Sequence, residues 1–309
     1  MARRIPLLLL GAFLVLAVAV AAARPASAPA SQGETVLVGA GDIASCTVET
    51  DEATAKLLDA IPGTVFTTGD NVYYAGTPAE FAACYGPTWG RHKARTRPAP
   101  GNHDYTTPGG AGYFSYFGDA AGPVGKGYYA YTAGHWRVIV LNSNCVDPTT
   151  PVTPDMDYLG NPCGVDSPQG QWLRGQLESS PKCTLAIIHH PRFTSGAKAP
   201  GYQHVQPFWE LLYQHGAELV LSGDDHVYER FAPQTPDGIP DPLFGVRQIT
   251  VGTGGMTAYD FTSAAPNSEV FAGLTHGVLK LTLRKNTYRW AFVPIAGQTF
   301  TDGGSADCH

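Results

Sequence analysis

Residues 36–42, Val-Leu-Val-Gly-Ala-Gly-Asp, run apolar for five positions and then stop at a glycine followed by an acid. A short apolar run closed by a turn signal reads as a buried strand. The same ending returns further along. Residues 64–70, Thr-Val-Phe-Thr-Thr-Gly-Asp, lead into Asn71, and 218–222 lead into Gly223-Asp224-Asp225-His226. Two more runs of this kind lie at 137–143 and 184–189. Helical patterns at 51–60, 78–85 and 207–214 fall between them, and Ser167-Pro168 starts another helix with a capping hydroxyl and a first-turn proline. Strands alternating with helices indicate an α/β sheet with helices on its outer faces. After Gly245 the pattern turns to strands alone, at 246–251, 277–283 and 288–293, the last two joined by a turn at Lys285-Asn286. That part of the chain is expected to form a second sheet packed on the first.

Polar residues gather where the apolar runs stop. Asp42 ends one, Asp70-Asn71 the next, and Ala99-Pro100 leads into Gly101-Asn102-His103-Asp104. His189-His190 and Asp224-Asp225-His226 end two more. Open α/β sheets place ligand sites outside the carboxyl ends of their strands, so these five ends are expected to converge on one rim. The glycine before each acid fits a sharp backbone turn that a Cβ would obstruct. Carboxylate, imidazole and amide together suit iron, manganese or zinc, and enough of them are present to hold two ions around one bridging carboxylate. Two such ions can generate hydroxide near neutral pH and stabilise both oxygens of an in-line displacement. These residues therefore indicate a metallohydrolase.

The ordered set Gly41-Asp42, Gly69-Asp70-Asn71-Val72-Tyr73, Gly101-Asn102-His103-Asp104, His189 and Gly223-Asp224-Asp225-His226 resembles the five blocks of the calcineurin-like metallophosphoesterases. The tyrosine three residues after Asp70 is similar to the mark of the purple acid phosphatases. No fibronectin-like domain precedes Asp42, which looks most like the short, tartrate-resistant branch. The expected fold is a four-layer α/β/β/α sandwich with a dinuclear metal site at the strand ends.

By position, the resemblance implies one metal on Asp42, Tyr73 and His226, a second on Asn102, His189 and Asp224 in the last block, and Asp70 bridging. The implied ions are ferric iron, coloured by tyrosinate charge transfer, with ferrous iron, manganese or zinc. His103 is implied to bind phosphate and assist the leaving group, with Asp104 orienting its ring. His204, in the loop after His189, is a candidate second proton donor. One departure stands out: the family pattern in the last block is Gly-His-x-His, and here the first histidine is Asp224. An aspartate still ligates, and it makes the site harder and more anionic, favouring manganese or iron over zinc. It should also raise the pKa of bound water, weaken phosphate binding and move the pH optimum up from the acidic range. The implied reaction is hydrolysis of phosphate monoesters by metal-bound hydroxide. The alternatives are a phosphodiesterase or nucleotidase on the same site, and a secreted binding protein with an impaired site.

The ends and the composition set the remaining bounds. Arg3-Arg4, an apolar stretch over 7–23 and small residues to Ala30 read as a secretory signal peptide over 1–30, followed by one catalytic domain over 31–309. Cleavage after Ala23, Ala28 or Ala30 is left open, and an uncleaved anchor is the rival reading. No later segment is apolar enough to span a membrane. A net charge of −6 speaks against nucleic acid as a partner. The basic residues over 91–97 read as a solvated loop. Six cysteines in an exported chain suggest a disulfide framework with fifteen full pairings. Cys145 and Cys163 flank a Pro-rich loop and are expected to pair, with Cys46–Cys84 and Cys183–Cys308 completing the set. Tyr74 reads as a packed aromatic, His190 as supporting or space-filling, and Asp225 as solvent-facing or supporting. Gly252–Gly255 lacks the helix and lysine of a nucleotide-binding loop.

Overall fold

The computed structural model describes Met1 and residues 33–145, 163–180, 183–261 and 263–309. The signal-peptide reading and the Pro-rich stretch between Cys145 and Cys163 lie outside the described residues. The strands in chain order are β1 (Thr35–Ala40), β2 (Ala44–Ser45), β3 (Thr64–Thr67), β4 (Val72–Tyr73), β5 (Thr96–Arg97), β6 (Tyr129–Ala133), β7 (Trp136–Val140) and β8 (Cys183–Ile187). They continue as β9 (Leu219–Ser222), β10 (Tyr228–Phe231), β11 (Arg247–Val251), β12 (Ser268–Ala272), β13 (Gly277–Leu283), β14 (Thr287–Pro294) and β15 (Gly303–Asp307). The helices are α1 (Thr50–Ala60), α2 (Pro78–Glu80), α3 (Asn102–Thr106), α4 (Ala111–Phe117), α5 (Pro168–Glu178) and α6 (Gln206–Gln214).

Two mixed sheets form the centre of the sandwich. One runs β15-β14-β13-β1-β3-β5 and the other β12-β10-β11-β9-β8-β7-β6. Period-two alternation splits the second sheet's side chains between two cores. Trp136, Val138, Leu185, Ile187, Leu219 and Leu221 face the main core, which also takes Leu37, Val65, Leu279 and Leu281 from the first sheet. Ile139, Ala186 and Val220 turn the other way, onto Leu173 and Leu177 of α5 and Phe208, Leu211 and Leu212 of α6. Helix α5 begins as expected: Ser167 Oγ accepts the Gly170 N–H at 3.0 Å, and Pro168 opens the first turn. Helix α1 packs its buried Ala55 and Leu58 into the main core. The four-layer α/β/β/α sandwich is the observed fold.

The expected division into an early α/β sheet and a late all-β sheet is not how the chain distributes its strands. Strand β11 joins the second sheet, parallel to β9 with Gln248 opposite Val220. Strands β13 and β14 extend the first sheet, β13 running antiparallel to β1 with Leu281 opposite Leu37. Apolar alternation specifies a strand but not its neighbour; that follows from which edge is open when the chain returns. The basic run at 91–97 also differs from a solvated loop. Arg91 pairs with Glu52 and Asp59, and the Arg95 guanidinium donates to the carbonyls of Leu58, Ile61 and Gly63. These cations close the carboxyl end of α1, where unpaired carbonyls gather.

All three expected disulfides are present: Cys46–Cys84, Cys145–Cys163 and Cys183–Cys308. Among the described residues, no helix is long and apolar enough to cross a membrane.

Candidate metal centre

The five strand ends meet at one edge of the sandwich, and the backbone there is unusual in a way that sequence did not anticipate. Asp42, Asp70 and Asp224 each have positive φ, at 59°, 48° and 63°. Non-glycine residues rarely enter the left-handed region, and such strain concentrates at functional sites. The turn that the preceding glycine was expected to make is thus made by the acid itself at Asp42 and Asp224. The glycines serve close packing instead. A Cβ on Gly101 would lie 2.1 Å from Asp70 Oδ1, and one on Gly223 would lie 2.7 Å from Asp42 Oδ2. Gly101→Ala is therefore expected to displace Asp70 and weaken metal retention by roughly ten- to a hundredfold, the range typical of disturbing a ligand's support. Metal per chain after dialysis against a chelator measures this; unchanged retention would mean that the close approach is dispensable.

Two clusters form on either side of Asp70. In the first, the Tyr73 hydroxyl donates to Asp42 Oδ1 at 2.9 Å and lies 3.1 Å from His226 Nε2, itself 3.4 Å from Asp42 Oδ1. In the second, His189 Nε2 is 3.0 Å from Asn102 Oδ1, 3.4 Å from Asp70 Oδ1 and 3.6 Å from Asp224 Oδ1. All seven expected ligands thus fall into one group. Except for Asn102, which is half-buried, they are buried.

Backbone carbonyls fix both imidazoles. His189 Nδ1 donates to Thr68 O at 2.7 Å and His226 Nδ1 donates to Thr257 O at 2.7 Å. A carbonyl only accepts, so Nδ1 carries the hydrogen and each Nε2 is turned toward the carboxylates, the orientation a metal ligand requires. The segment after β11 buttresses this arrangement: Gly254 N–H donates to Gly41 O at 2.8 Å, and Met256 N–H to Asp42 O at 2.9 Å. The glycines of 252–255 belong to this backbone packing, and Tyr259 stacks on the His226 ring with centroids 4.2 Å apart.

Electrostatics show what the cluster lacks. Burial opposes a charge on His189, yet Asp70, Asp42 and Asp224 raise it to about 10. Burial also opposes the Asp70 charge, but His189 and then His103 hold that carboxyl below the usual range. Burial pushes Asp224 up, partly offset by His189 and Lys198, and among the described residues its buried Oδ2 has no hydrogen-bond partner. Burial, then the charges of Asp42 and Asp70, push the Tyr73 hydroxyl well above its ordinary value. Three buried carboxylates held together mainly by protons on their neighbours are a set that cations would complete. The donor atoms of Asp42, Asp70 and His189 all lie within 4.8 Å of one another. These residues fit two metal ions.

His103 sits half-buried at the mouth. Its Nδ1 donates to Tyr74 O at 2.7 Å, and its Nε2 is 4.0 Å from Asp70 Oδ2. The Tyr74 carbonyl therefore orients this ring, in place of the expected Asp104. Asp104 is fully buried and accepts from Gly101 N–H at 2.8 Å and from the Asn71 side chain at 2.9 Å. Its carboxyl, pushed up to about 7 by burial and then by Asp70, fixes the loop that presents Asn102 and His103. The Tyr74 ring is 55% exposed rather than packed. His204 Nε2 lies 3.1 Å from Ser143 O, and its ring contacts His190, which contacts His189. His190 supports from behind through Ser143 Oγ at 2.7 Å.

Sequence reasoning did not single out Lys198, Tyr202 or Tyr259. None follows a strand end, and only the return of their loops to the rim brings them near the site.

Residues 36–228 match the family described as calcineurin-like phosphoesterase. No curated protein matches the chain. Among solved structures, the fold is similar to purple acid phosphatase PPD1 from yellow lupin (Lupinus luteus) seeds, with 16% identity and a TM-score of 0.63 over 89% of this chain and 54% of that one. The chain thus spans about half the length of the lupin protein. It is also similar to GAP50, the anchor in the inner membrane complex of Plasmodium, with 14% identity, a TM-score of 0.64 and 90% of each chain covered. A third likeness is to PhoD, with 12% identity and a TM-score of 0.60 over 89% of this chain and 70% of that one.

Proposed function

The chain belongs to the calcineurin-like phosphoesterases, and from that premise we propose that it is a secreted dinuclear-metal phosphatase hydrolysing phosphate monoesters. The observation behind this reading is the pair of carbonyl-pinned imidazoles, His189 and His226, whose Nε2 atoms face two carboxylate clusters joined by Asp70. Asp42, Tyr73 and His226 would hold one ion, Asn102, His189 and Asp224 the other, and Asp70 would serve both. When bound, the two ions would supply hydroxide near neutral pH and neutralise charge on the phosphoryl oxygens.

The chain's own residues do the rest. His103, fixed by Tyr74 O, presents Nε2 at the mouth to bind a phosphoryl oxygen and give a proton to the departing alcohol. Asp104 keeps the Asn102-His103 turn in register through Gly101 and Asn71. His204, whose Nε2 lies 3.1 Å from Ser143 O, would be the alternative donor of that one proton. Tyr73 resists ionising in so buried and anionic a place, so only a strongly polarising ion would draw out its proton. That favours ferric iron beside Tyr73, and ferrous iron, manganese or zinc at the other position. Three disulfides support an oxidising destination outside the cytoplasm.

Hydrolysis of nitrophenyl phosphate across pH, with metal content and visible spectrum on the same sample, tests the reading. Two metals per chain, turnover and a purple band are expected. Turnover without colour would remove the ferric–Tyr73 assignment, and full metal loading without turnover of any ester would remove the phosphatase. Asp224→His supplies the pH test. The aspartate's negative charge holds protons in the site to higher pH than a neutral imidazole would. The variant's optimum is therefore expected about one pH unit lower than that of the unaltered protein. An optimum that does not move would show that Asp224 does not set the acid limb.

A further inference from the structure

Tyr74 carries an exposed ring on a backbone that is fixed from three directions. The Glu80 carboxylate accepts the N–H of Tyr74 and that of Thr77, each at 2.8 Å. Thr107 N–H donates to Ala75 O at 2.8 Å, and His103 Nδ1 donates to Tyr74 O at 2.7 Å. Gly76 lets the loop lie against the residue at the mouth, because a Cβ there would come 2.7 Å from His103 O. A backbone held this way leaves the side chain at position 74 little choice of place. The ring is nonetheless 55% exposed, so packing does not explain it.

Three rings meet at that corner. Tyr74 stands edge-on to Tyr73, with centroids 6.0 Å apart, and edge-on to His103, with centroids 6.4 Å apart. Tyr73 and His103 are themselves 4.3 Å apart. Exposure rises outward through the group: Tyr73 is buried, His103 half-buried and Tyr74 open to solvent. Tyr259, the other tyrosine at the rim, lies flat on His226, so one of its faces is already taken.

A single exposed aromatic is ordinary on a protein surface. This one stands beside the histidine placed to protonate the departing alcohol. A general acid works at about 2.6–3.2 Å from the oxygen it protonates, so the first carbons of that alcohol lie close to His103. A planar group there comes within the separation of about 4.5–7 Å at which aromatic rings attract one another edge-to-face or offset. The fixed backbone means that little freedom remains to be lost when the contact forms.

We infer that the Tyr74 side chain is a specificity determinant that packs against the leaving group, and that the site favours aryl over aliphatic phosphate monoesters. The inference rests on the phosphatase reading above and adds the class of alcohol. Its test is kcat/KM of the metal-loaded protein for phenyl phosphate and for glycerol phosphate. A phenol leaves more readily in any case, so the quantity that decides is the ratio of the two, compared between variants. Tyr74→Ala is expected to lower that ratio about five- to tenfold, and Tyr74→Phe to leave it within about twofold. Every variant keeps the carbonyl that orients His103, and a loss acting through His103 strikes both esters alike and cancels. An unchanged ratio in Tyr74→Ala, or a loss in Tyr74→Phe as large as the alanine's, would overturn the inference.

Calorimetric titration with phenylphosphonate and methylphosphonate needs neither turnover nor a variant, since neither compound is an ester. The unaltered, metal-loaded protein is expected to bind phenylphosphonate about fivefold more tightly. Equal affinities, or no binding of either, overturn the inference. If the protein turns over neither ester, the phosphatase reading falls. The role of Tyr74 then stands only if phenylphosphonate still binds more tightly and Tyr74→Ala removes the difference.

Discussion

Asp70→Asn is expected to leave the protein folded, bind fewer than two metal ions per chain, and lower kcat/KM for nitrophenyl phosphate by more than about a hundredfold. The estimate is a floor. Disturbing a group that only supports a ligand already costs about ten- to a hundredfold in metal affinity or activity, and Asp70 is itself placed to ligate. It lies between the two clusters, with Oδ1 at 3.4 Å from His189 Nε2 and Oδ2 at 4.0 Å from His103 Nε2. Its Oδ1 also accepts the His103 N–H at 2.9 Å, so the carboxylate joins the candidate ligands to the residue at the mouth. Asparagine keeps the shape and can keep that contact, but not the negative charge. Against the burial that opposes it, that charge is the largest of the three, with those of Asp42 and Asp224, that raise His189 to about 10. The asparagine variant should therefore hold the His189 proton less firmly and lose metal affinity with it. Metal analysis, initial rates and far-ultraviolet circular dichroism on one preparation test this. A folded variant with two ions and a rate within tenfold of the original would remove Asp70 from the bridging role.

How much of this site could be read beforehand follows from where its chemistry is stored. Asp42, Asp70, Asn102, His189, Asp224 and His226 were legible because each stands at the end of an apolar run, where sheet geometry sends side chains to a common rim. Tyr73 was legible only through its offset from Asp70 in the family resemblance. The positive φ of three acids was not legible, since at Asp42 and Asp224 the preceding glycine drew attention to the wrong residue and at Asp70 the glycine and the acid share the turn. Nor was the placement of β11 in the second sheet and β13 in the first, because strand patterns do not encode neighbours. Asp104 and Tyr74 exchanged their expected parts: the carboxylate turned inward to the Gly101 turn, and the tyrosine's backbone carbonyl took the ring of His103. A carbonyl has no letter in a sequence. The same holds for Thr68 O and Thr257 O, which orient the two imidazoles, so which side chains converge was readable and how they are aligned was not.

Removing the Cys183–Cys308 bridge should test stability without touching that site. The expected result for Cys183→Ser with Cys308→Ser is a loss of up to about 5 kcal/mol, from the chain-entropy relation applied to a wide loop. The bridge spans 125 residues, against 38 for Cys46–Cys84 and 18 for Cys145–Cys163. On loop entropy alone it should be the costliest of the three to lose, by about 1 and 2 kcal/mol respectively. Position adds to this. Cys183 opens β8 in the second sheet, while Cys308 follows β15, the mostly exposed edge strand of the first. The bridge therefore joins the two sheets where, among the described residues, β15 has only β14 as a partner. Beside it, His309 Nδ1 lies 2.8 Å from Glu218 Oε2 and Cys308 N–H donates to Asn286 O at 2.8 Å, contacts that should loosen once the tether is cut. Denaturant unfolding of the oxidised protein and of each double-serine variant measures the order of cost. Both cysteines lie in the main core rather than among the candidate ligands, so metal content and kcat should persist at temperatures where the variant stays folded. A cost no larger than that of the Cys145–Cys163 pair would mean that native packing across the two sheets, and not loop closure, holds the C-terminal edge in place.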